Sequence, residues 1–156
     1  MGPHEVEALY RTHGTELVRF ATVLVGPADA ADVVAEAMVK VLTRPPAGGV
    51  TAPSAYLHKL VLRAAQDRQR SDRRRRRREQ QVFGRRDRPA EAVEATDPSV
   101  VDALALLSPR QRAAVFLTYW VDLDPTAVAD VLGTSPGTVH QHLARARANL
   151  REALDA

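Results

Sequence analysis

Apolar residues recur at spacings of three and four along the first part of the chain, which is the pattern of an amphipathic helix. This first stripe starts at Val6, stops at Gly26-Pro27 and comprises Leu9, His13, Leu17, Phe20 and Leu24. A second stripe predicts a second helix, which ends in the Pro/Gly-rich run at 45–49 and carries acidic residues opposite its apolar face. The predicted buried face of this second helix comprises Val33, Val34, Ala37, Met38, Val41 and Leu42.

A third helix is predicted from Pro53, because proline suits the first turn of a helix. Its inward residues are Tyr56, Leu57, Leu60, Val61 and Ala64. The apolar periodicity disappears in the arginine block (residues 73–78), where like charges repel one another. We therefore predict a first module over residues 1–70 and a mostly flexible basic linker over residues 71–97, whose start can extend the third helix.

The second module, residues 98–156, is punctuated by cap residues that directly precede proline. These pairs are Asp97-Pro98, Ser108-Pro109, Asp124-Pro125 and Ser135-Pro136. Each pair marks a helix start, since the cap side chain accepts a hydrogen bond from a free backbone N–H and proline lacks one. The predicted helices cover residues 98–107, 109–122, 125–132 and 136–153. Ser108 with Gln111 also fits a capping box.

Composition supports an all-α fold of two small helical modules. The 156 residues include only three Phe, three Tyr and one Trp, fewer aromatic residues than a β-sandwich or barrel needs. The chain has no cysteine, which excludes disulfides, thiolate metal sites and cysteine nucleophiles. No apolar run is long enough to span a membrane and the N-terminus lacks the apolar core of a signal peptide, so we expect a cytoplasmic protein.

Charge is distributed unevenly. Residues 59–88 hold 13 basic and four acidic residues, a net charge of +9, whereas the rest of the chain sums to −6. A basic segment in an otherwise acidic chain points to a polyanion, with nucleic acid first. For the arginine block itself, contact with phosphates and simple solvation are both open.

Residues 124–150 have the spacing of a helix-turn-helix. A small residue at the helix crossing (Ala129), a glycine at the turn (Gly133) and an apolar residue six positions later (Val139) meet the steric needs of two closely crossing helices. The outward face of the second helix holds Thr138, His140, Gln141, Arg145 and Arg147. Such a face suits base edges and phosphates in a DNA groove, although a helical hairpin with a basic solvated face is the alternative.

Several runs of sequence match motifs of a known family. In the second module these are LSPRQR at 107–112, VADVLG at 128–133, GTV at 137–139 and LARA at 143–146, which are similar to region 4 of the extracytoplasmic-function sigma factors. In the first module, DAADVVAEA at 29–37 resembles the polymerase-binding helix of region 2, and AYLHK at 55–59 resembles its promoter helix.

The resemblance implies a non-enzymatic promoter-specificity subunit that binds core RNA polymerase and promoter DNA and is held by an anti-sigma factor. No phosphate-binding glycine loop, metal-ligand spacing or serine, histidine and carboxylate arrangement stands out, so we expect no cofactor, catalytic residue or metal site. The resemblance places core polymerase on Asp29, Asp32 and Glu36. It places the −10 element on Lys59, Arg63, Gln66 and Arg70. It places the −35 element on Ser135, Thr138, His140, Gln141, Arg145 and Arg147. For the acidic residues, a solvated face with a Glu36–Lys40 pair is the alternative.

Two other functions stay open at this point. One is a sigma-like protein that binds polymerase or an anti-sigma factor without opening promoters, and the other is a free-standing helix-turn-helix regulator. If the chain is a sigma factor, it contacts two promoter elements that are two duplex turns, or about 70 Å, apart. We therefore expect the two modules to be held apart on the promoter.

Overall fold

The fold is described by a computed structural model, which covers residues 2–82 and 98–155. This part of the chain is helical, without strands. Its helices are α1 (Pro3–Val25), α2 (Pro27–Thr43), α3 (Pro53–Val82), α4 (Pro98–Ala105), α5 (Pro109–Tyr119), α6 (Pro125–Leu132) and α7 (Pro136–Asp155). The predicted all-α fold is confirmed.

Each of these helices has proline at its first position. The first backbone N–H groups of a helix have no partner within it, so a residue without that group loses nothing there. Side-chain caps add to the signal: the Ser108 hydroxyl accepts a hydrogen bond from the Gln111 amide at 3.2 Å, and the Gln111 side chain accepts one from the Ser108 amide at 3.3 Å. The predicted capping box is therefore present.

The first module packs α1, α2 and α3 around an apolar core. Leu17 and Phe20 of α1, Val33 of α2, and Leu57 and Val61 of α3 are fully buried. Leu42 is 48% exposed, so its prediction as a buried residue is wrong. It lies near the C-terminus of α2 and is rotated by about 100° around the helix axis from the fully buried Val41, so it falls outside the core face of the helix.

Helix α3 is longer than the apolar pattern indicates. It continues through the arginine block to Val82, so the first part of the predicted linker is helical. The remaining part of that linker, residues 83–97, lies outside the described residues. Like-charge repulsion between neighbours on a helix amounts to a few tenths of a kcal/mol per pair, which the good helix propensity of Arg, Glu and Gln offsets.

The second module places α5, α6 and α7 around a smaller core that contains Leu117, Val128 and Val139. Gly133 joins α6 to α7 with φ of +68°, the left-handed conformation that glycine adopts without strain. Ala129 is buried at the crossing. The predicted helix-turn-helix is thus the geometry observed.

The two modules contact each other in the structure. Phe20 of α1 and Phe116 of α5 lie with their ring centroids 5.4 Å apart. The Arg112 guanidinium of α5 donates a hydrogen bond to the Val23 carbonyl of α1 at 3.0 Å. Nothing in the sequence pattern predicted this contact, because it joins residues that are far apart in the chain.

No helix in the described part of the chain is both long enough and apolar enough to cross a membrane.

Candidate functional surfaces

The predicted polymerase-binding carboxylates form one cluster on α2. Asp29, Asp32 and Glu36 follow at spacings of three and four, so they share a face of the helix. The Arg68 guanidinium of α3 lies among them, with N···O distances of 3.2 Å to Asp29, 3.5 Å to Asp32 and 3.7 Å to Glu36. Asp32 and Glu36 keep 67% and 54% of their side-chain surface exposed.

Arg68 is a residue that the sequence analysis missed as part of this surface. It follows Val61 and Ala64 at spacings of three and four on the inward side of α3, which was the available signal. An arginine on an otherwise buried stripe needs acidic partners from the neighbouring helix. Lys40 is paired with Asp67 of α3 at 3.9 Å, whereas the alternative interpretation of the acidic face paired it with Glu36.

The predicted −10 residues lie along one side of α3. Arg63 and Arg70 are exposed, and Gln66 is half-buried. Arg70 is 3.9 Å from Asp67, one turn earlier on the same helix. Lys59 has only 29% of its side chain exposed, because its ammonium group lies 3.6 Å from the Asp130 carboxylate of α6. The N-terminal end of this side therefore faces the helix-turn-helix.

His58, next to Lys59, is fully buried. Its Nδ1 donates a hydrogen bond to the Ser54 carbonyl at 2.7 Å, and its ring centroid is 5.1 Å from that of Phe20. Nε2 has no hydrogen-bond partner, and the nearest acidic oxygen, on Glu16, is 3.6 Å away. Burial lowers the pKa of His58 from 6.5 to about 4. The imidazole is therefore neutral at pH 7 and acts as part of the core.

In the helix-turn-helix, cap hydrogen bonds fix both helix starts. The Asp124 carboxylate accepts from the Ala127 amide at 2.8 Å at the start of α6. The Ser135 hydroxyl accepts from the Thr138 amide at 3.2 Å and lies 3.0 Å from the Thr138 hydroxyl. Of the predicted −35 residues, Ser135 is thus also the N-terminal cap of α7, and Thr138 is the residue that it caps.

The other predicted −35 residues present an exposed polar face. His140, Gln141, Arg145 and Arg147 are exposed, and the inward residues Val139, Leu143 and Ala146 are buried. Arg147 donates a hydrogen bond to the Tyr119 hydroxyl at 2.9 Å, which holds its guanidinium beside α5. In the described residues, no group of three or more His, Asp or Glu side chains could hold a metal ion.

His142, on the flank of the same helix, is half-buried. Burial lowers its pKa, and the neighbouring charges of Arg110 and Arg145 lower it further. Both causes disfavour a positive charge on His142 beside these two arginines.

At the module interface, the Arg112 guanidinium has hydrogen-bond partners for only some of its N–H groups. Its Nη1 donates to Val23, whereas its Nε is buried without a hydrogen-bond partner. Burial lowers the pKa of Arg112 from its ordinary value. A buried charge with an unpaired N–H is costly, which limits how much this contact stabilises the packed arrangement of the modules.

Comparison with known families assigns both modules. The model of Sigma-70 region 2 matches residues 9–75, and that of Sigma-70 region 4 matches residues 99–150. A protein with these two helical regions in this order is of the sigma-70 class of RNA polymerase specificity subunits.

Relatives narrow the assignment. The chain is 31% identical to the RNA polymerase sigma-E factor of Streptomyces avermitilis over 156 residues, covering 97% of this chain and 86% of that protein. It is 33% identical to the ECF RNA polymerase sigma factor SigM of Mycobacterium tuberculosis, covering 95% of this chain and 76% of that one. The chain belongs to the extracytoplasmic-function sigma factors, as its sequence motifs indicated.

Among solved structures, the fold is similar to the sigma factor RpoE in its complex with the anti-sigma factor NepR from Bartonella quintana. The TM-score is 0.75 at 21% identity, covering 98% of this chain and 96% of that one. CnrH in complex with the cytosolic domain of CnrY is also similar, with a TM-score of 0.66 at 23% identity over 96% of this chain and 87% of that one. At this level of identity the likeness concerns the fold alone.

Proposed function

We propose that this sigma factor uses three separate surfaces: the acidic face of α2 for core RNA polymerase, one side of α3 for the −10 element, and the outward face of α7 for the −35 element. The protein acts as a specificity subunit in the cytoplasm and carries out no catalytic step itself. The observation that carries the proposal is the exposed α7 face, which stands on a buried stripe within a helix-turn-helix. That arrangement leaves polar side chains free for a DNA groove.

The acidic face of α2 supports the polymerase assignment through its organisation. Arg68 holds three carboxylates within 3.2 to 3.7 Å of its guanidinium, yet the outer carboxylates stay largely exposed. A fixed group of carboxylates loses little side-chain entropy when a basic surface docks on it. We therefore assign Asp29, Asp32 and Glu36 to a basic surface of core polymerase, with Arg68 as the residue that positions them.

Promoter binding requires the modules to separate. Lys59 of the proposed −10 surface contacts Asp130 of the helix-turn-helix, so the two DNA-binding modules touch. Promoter elements two duplex turns apart lie about 70 Å from each other. The packed form is accordingly a free form of the protein, and an anti-sigma factor, such as the NepR bound to the structurally similar RpoE, is a partner that we propose for it.

The test is co-elution of the full chain with core RNA polymerase, followed by run-off transcription from a library of genomic promoters. Asp32→Arg with Glu36→Arg is expected to abolish co-elution, because it reverses the charge of the docking face. Glu152→Arg with Asp155→Arg, at the exposed end of α7, is the matched control: it makes the same change in net charge and retains co-elution.

Three outcomes separate the alternatives. Specific transcripts from the wild type, with co-elution lost only in the α2 variant, support the proposal. Co-elution without transcripts from any promoter assigns the chain to the sigma-like proteins that do not open promoters. Sequence-specific duplex binding without co-elution assigns it to free-standing helix-turn-helix regulators.

A further inference from the structure

Helix α3 carries the proposed −10 surface and the arginine block on one continuous helix. Because an α-helix has 3.6 residues per turn, residues 18 positions apart lie at the same angle around its axis. Lys59 and Arg77 are such a pair. The residues between them at spacings of three and four form a single stripe, which comprises Lys59, Arg63, Gln66, Arg70, Arg73 and Arg77.

The two sides of the arginine block differ in their surroundings. Arg73 and Arg77 are exposed, and within the described residues neither has an ion pair or a side-chain hydrogen bond. Arg75 lies on the opposite side of α3, 3.4 Å from Asp72 and 4.0 Å from Glu79. The charge of Arg75 is thus partly neutralised within the helix, whereas the arginines on the stripe are available to another molecule.

We propose that Arg73 and Arg77 bind backbone phosphates of duplex DNA next to the segment that α3 contacts through Arg63, Gln66 and Arg70. This proposal deepens the function proposed above and rests on it for the orientation of α3. Arg63 and Arg77 are 14 residues apart, which is about 21 Å along the helix. With α3 running along the duplex, that length corresponds to about six base pairs of rise, and the arginines then reach phosphates beyond the bases that the stripe reads.

Charge and chemistry favour phosphates as the occupant. Arg73 and Arg77 are one turn apart, and like charges at this spacing destabilise a helix in the absence of a counter-charge. A guanidinium offers a planar fork of N–H donors that matches two phosphate oxygens, and it stays charged at any physiological pH. A row of phosphates satisfies both arginines at once and removes their mutual repulsion.

The experiment measures binding of the full-length chain to a 30-base-pair duplex of arbitrary sequence, by fluorescence anisotropy over a range of KCl concentrations. Each phosphate contact contributes about 0.9 to the slope of log K against log salt. Arg73→Gln with Arg77→Gln is expected to reduce that slope by about 1.8. Arg75→Gln with Arg76→Gln removes the same charge from the same segment but off the stripe, and it keeps the wild-type slope.

The conservative variant Arg73→Lys with Arg77→Lys keeps both charges, so it is expected to keep most of the wild-type slope of log K against log salt. Circular dichroism of every variant checks that α3 stays helical, as the similar propensities of Arg, Gln and Lys lead us to expect. Equal slope losses in the two glutamine pairs would mean a diffuse charge effect without a face, and they would overturn the proposal.

The same measurement on a single-stranded RNA of equal length tests RNA as the alternative partner. A slope change on RNA with none on the duplex would assign the stripe to RNA and likewise overturn the proposal. Failure of the function proposed above is recognised separately, since the wild type would then not co-elute with core polymerase. A wild type that co-elutes and transcribes, together with an unchanged duplex slope in the Arg73/Arg77 pair, rejects this inference alone.

Discussion

Acidification is expected to destabilise this protein through His58. The side chain is fully buried, and its pKa is lowered from 6.5 to about 4 chiefly because burial disfavours the imidazolium. The hydrogen bond from Nδ1 to the Ser54 carbonyl raises the pKa, and the nearby charge of His13 lowers it further, but burial is the largest cause. In the unfolded chain the same histidine titrates near its ordinary value of about 6.5.

Whether stability rises or falls with pH depends on which state, folded or unfolded, binds the proton more readily. Between pH 6.5 and pH 4 the unfolded chain is protonated at His58 and the folded chain is not, so stability falls as the pH falls through this window. A gap of two and a half pKa units corresponds to about 3 kcal/mol in total, of which about 2 kcal/mol is lost between pH 7 and pH 5. For a domain stable by about 5–15 kcal/mol, that is a large fraction.

The assay is urea denaturation at pH 7, 6 and 5 of the wild type and of His58→Asn. Asparagine does not titrate, yet its amide can still donate to the Ser54 carbonyl. The variant is less stable than the wild type at pH 7, because the imidazole packing against Phe20 is lost. This deficit is expected to shrink by about 2 kcal/mol at pH 5, where the wild type loses the contribution of neutral His58.

Glu16→Gln serves as the control for the acidic group that faces His58. Its carboxylate lies 3.6 Å from Nε2 and would attract the imidazolium, so a pH dependence that comes from His58 persists in this variant. If His58→Asn and the wild type lost the same stability between pH 7 and pH 5, the destabilisation would have another source and the reasoning from burial would be refuted.

Three further predictions concern stability. Gly133→Ala is expected to lower the free energy of unfolding by about 1 kcal/mol, because φ of +68° strains a residue with a Cβ, and Gly133→Asn should lower it less. Thermal unfolding compares the two variants, and equal losses would contradict the backbone argument. Ser108→Ala removes the cap of α5 and should lower the urea-unfolding free energy by about 1 kcal/mol, whereas no change would mean that water replaces the cap. Phe20→Ala empties a fully buried site between His58 and Phe116 and should lower the free energy of unfolding, measured by calorimetry, by about 3–5 kcal/mol. A loss below about 1 kcal/mol would show that neighbouring side chains move in to fill the space.

Local chemistry explains what the sequence allowed us to predict. The starts of the helices in the second module depend on a proline and a cap residue next to it, as at Ser108-Pro109 and Asp124-Pro125, and no distant contact is needed to recognise them. The left-handed turn at Gly133 is equally local. The helix-turn-helix and the family motifs therefore emerged from the sequence alone.

Tertiary contacts explain what the sequence could not provide. The burial of Arg112 depends on the Val23 carbonyl, 89 positions earlier in the chain, and no periodicity encodes that distance. The pairing of Lys59 with Asp130 likewise joins the two modules. The face of α2 near Leu42 is apolar, but only the position of the neighbouring helices decides which of its residues are covered.

The contact between the modules is a binding equilibrium within one chain, so its strength depends on the local concentration of one module around the other. Because Val23 and Arg112 belong to one chain, their contact is intramolecular, and covalent connection of two binding partners sets effective concentrations up to the millimolar range. An interface as weak as a millimolar complex, about 4 kcal/mol, is then sufficient to keep the modules together for much of the time. At an effective concentration equal to that dissociation constant, the packed and separated forms are about equally populated. The apparent dissociation constant of a partner that binds one separated module with micromolar affinity then rises only about twofold.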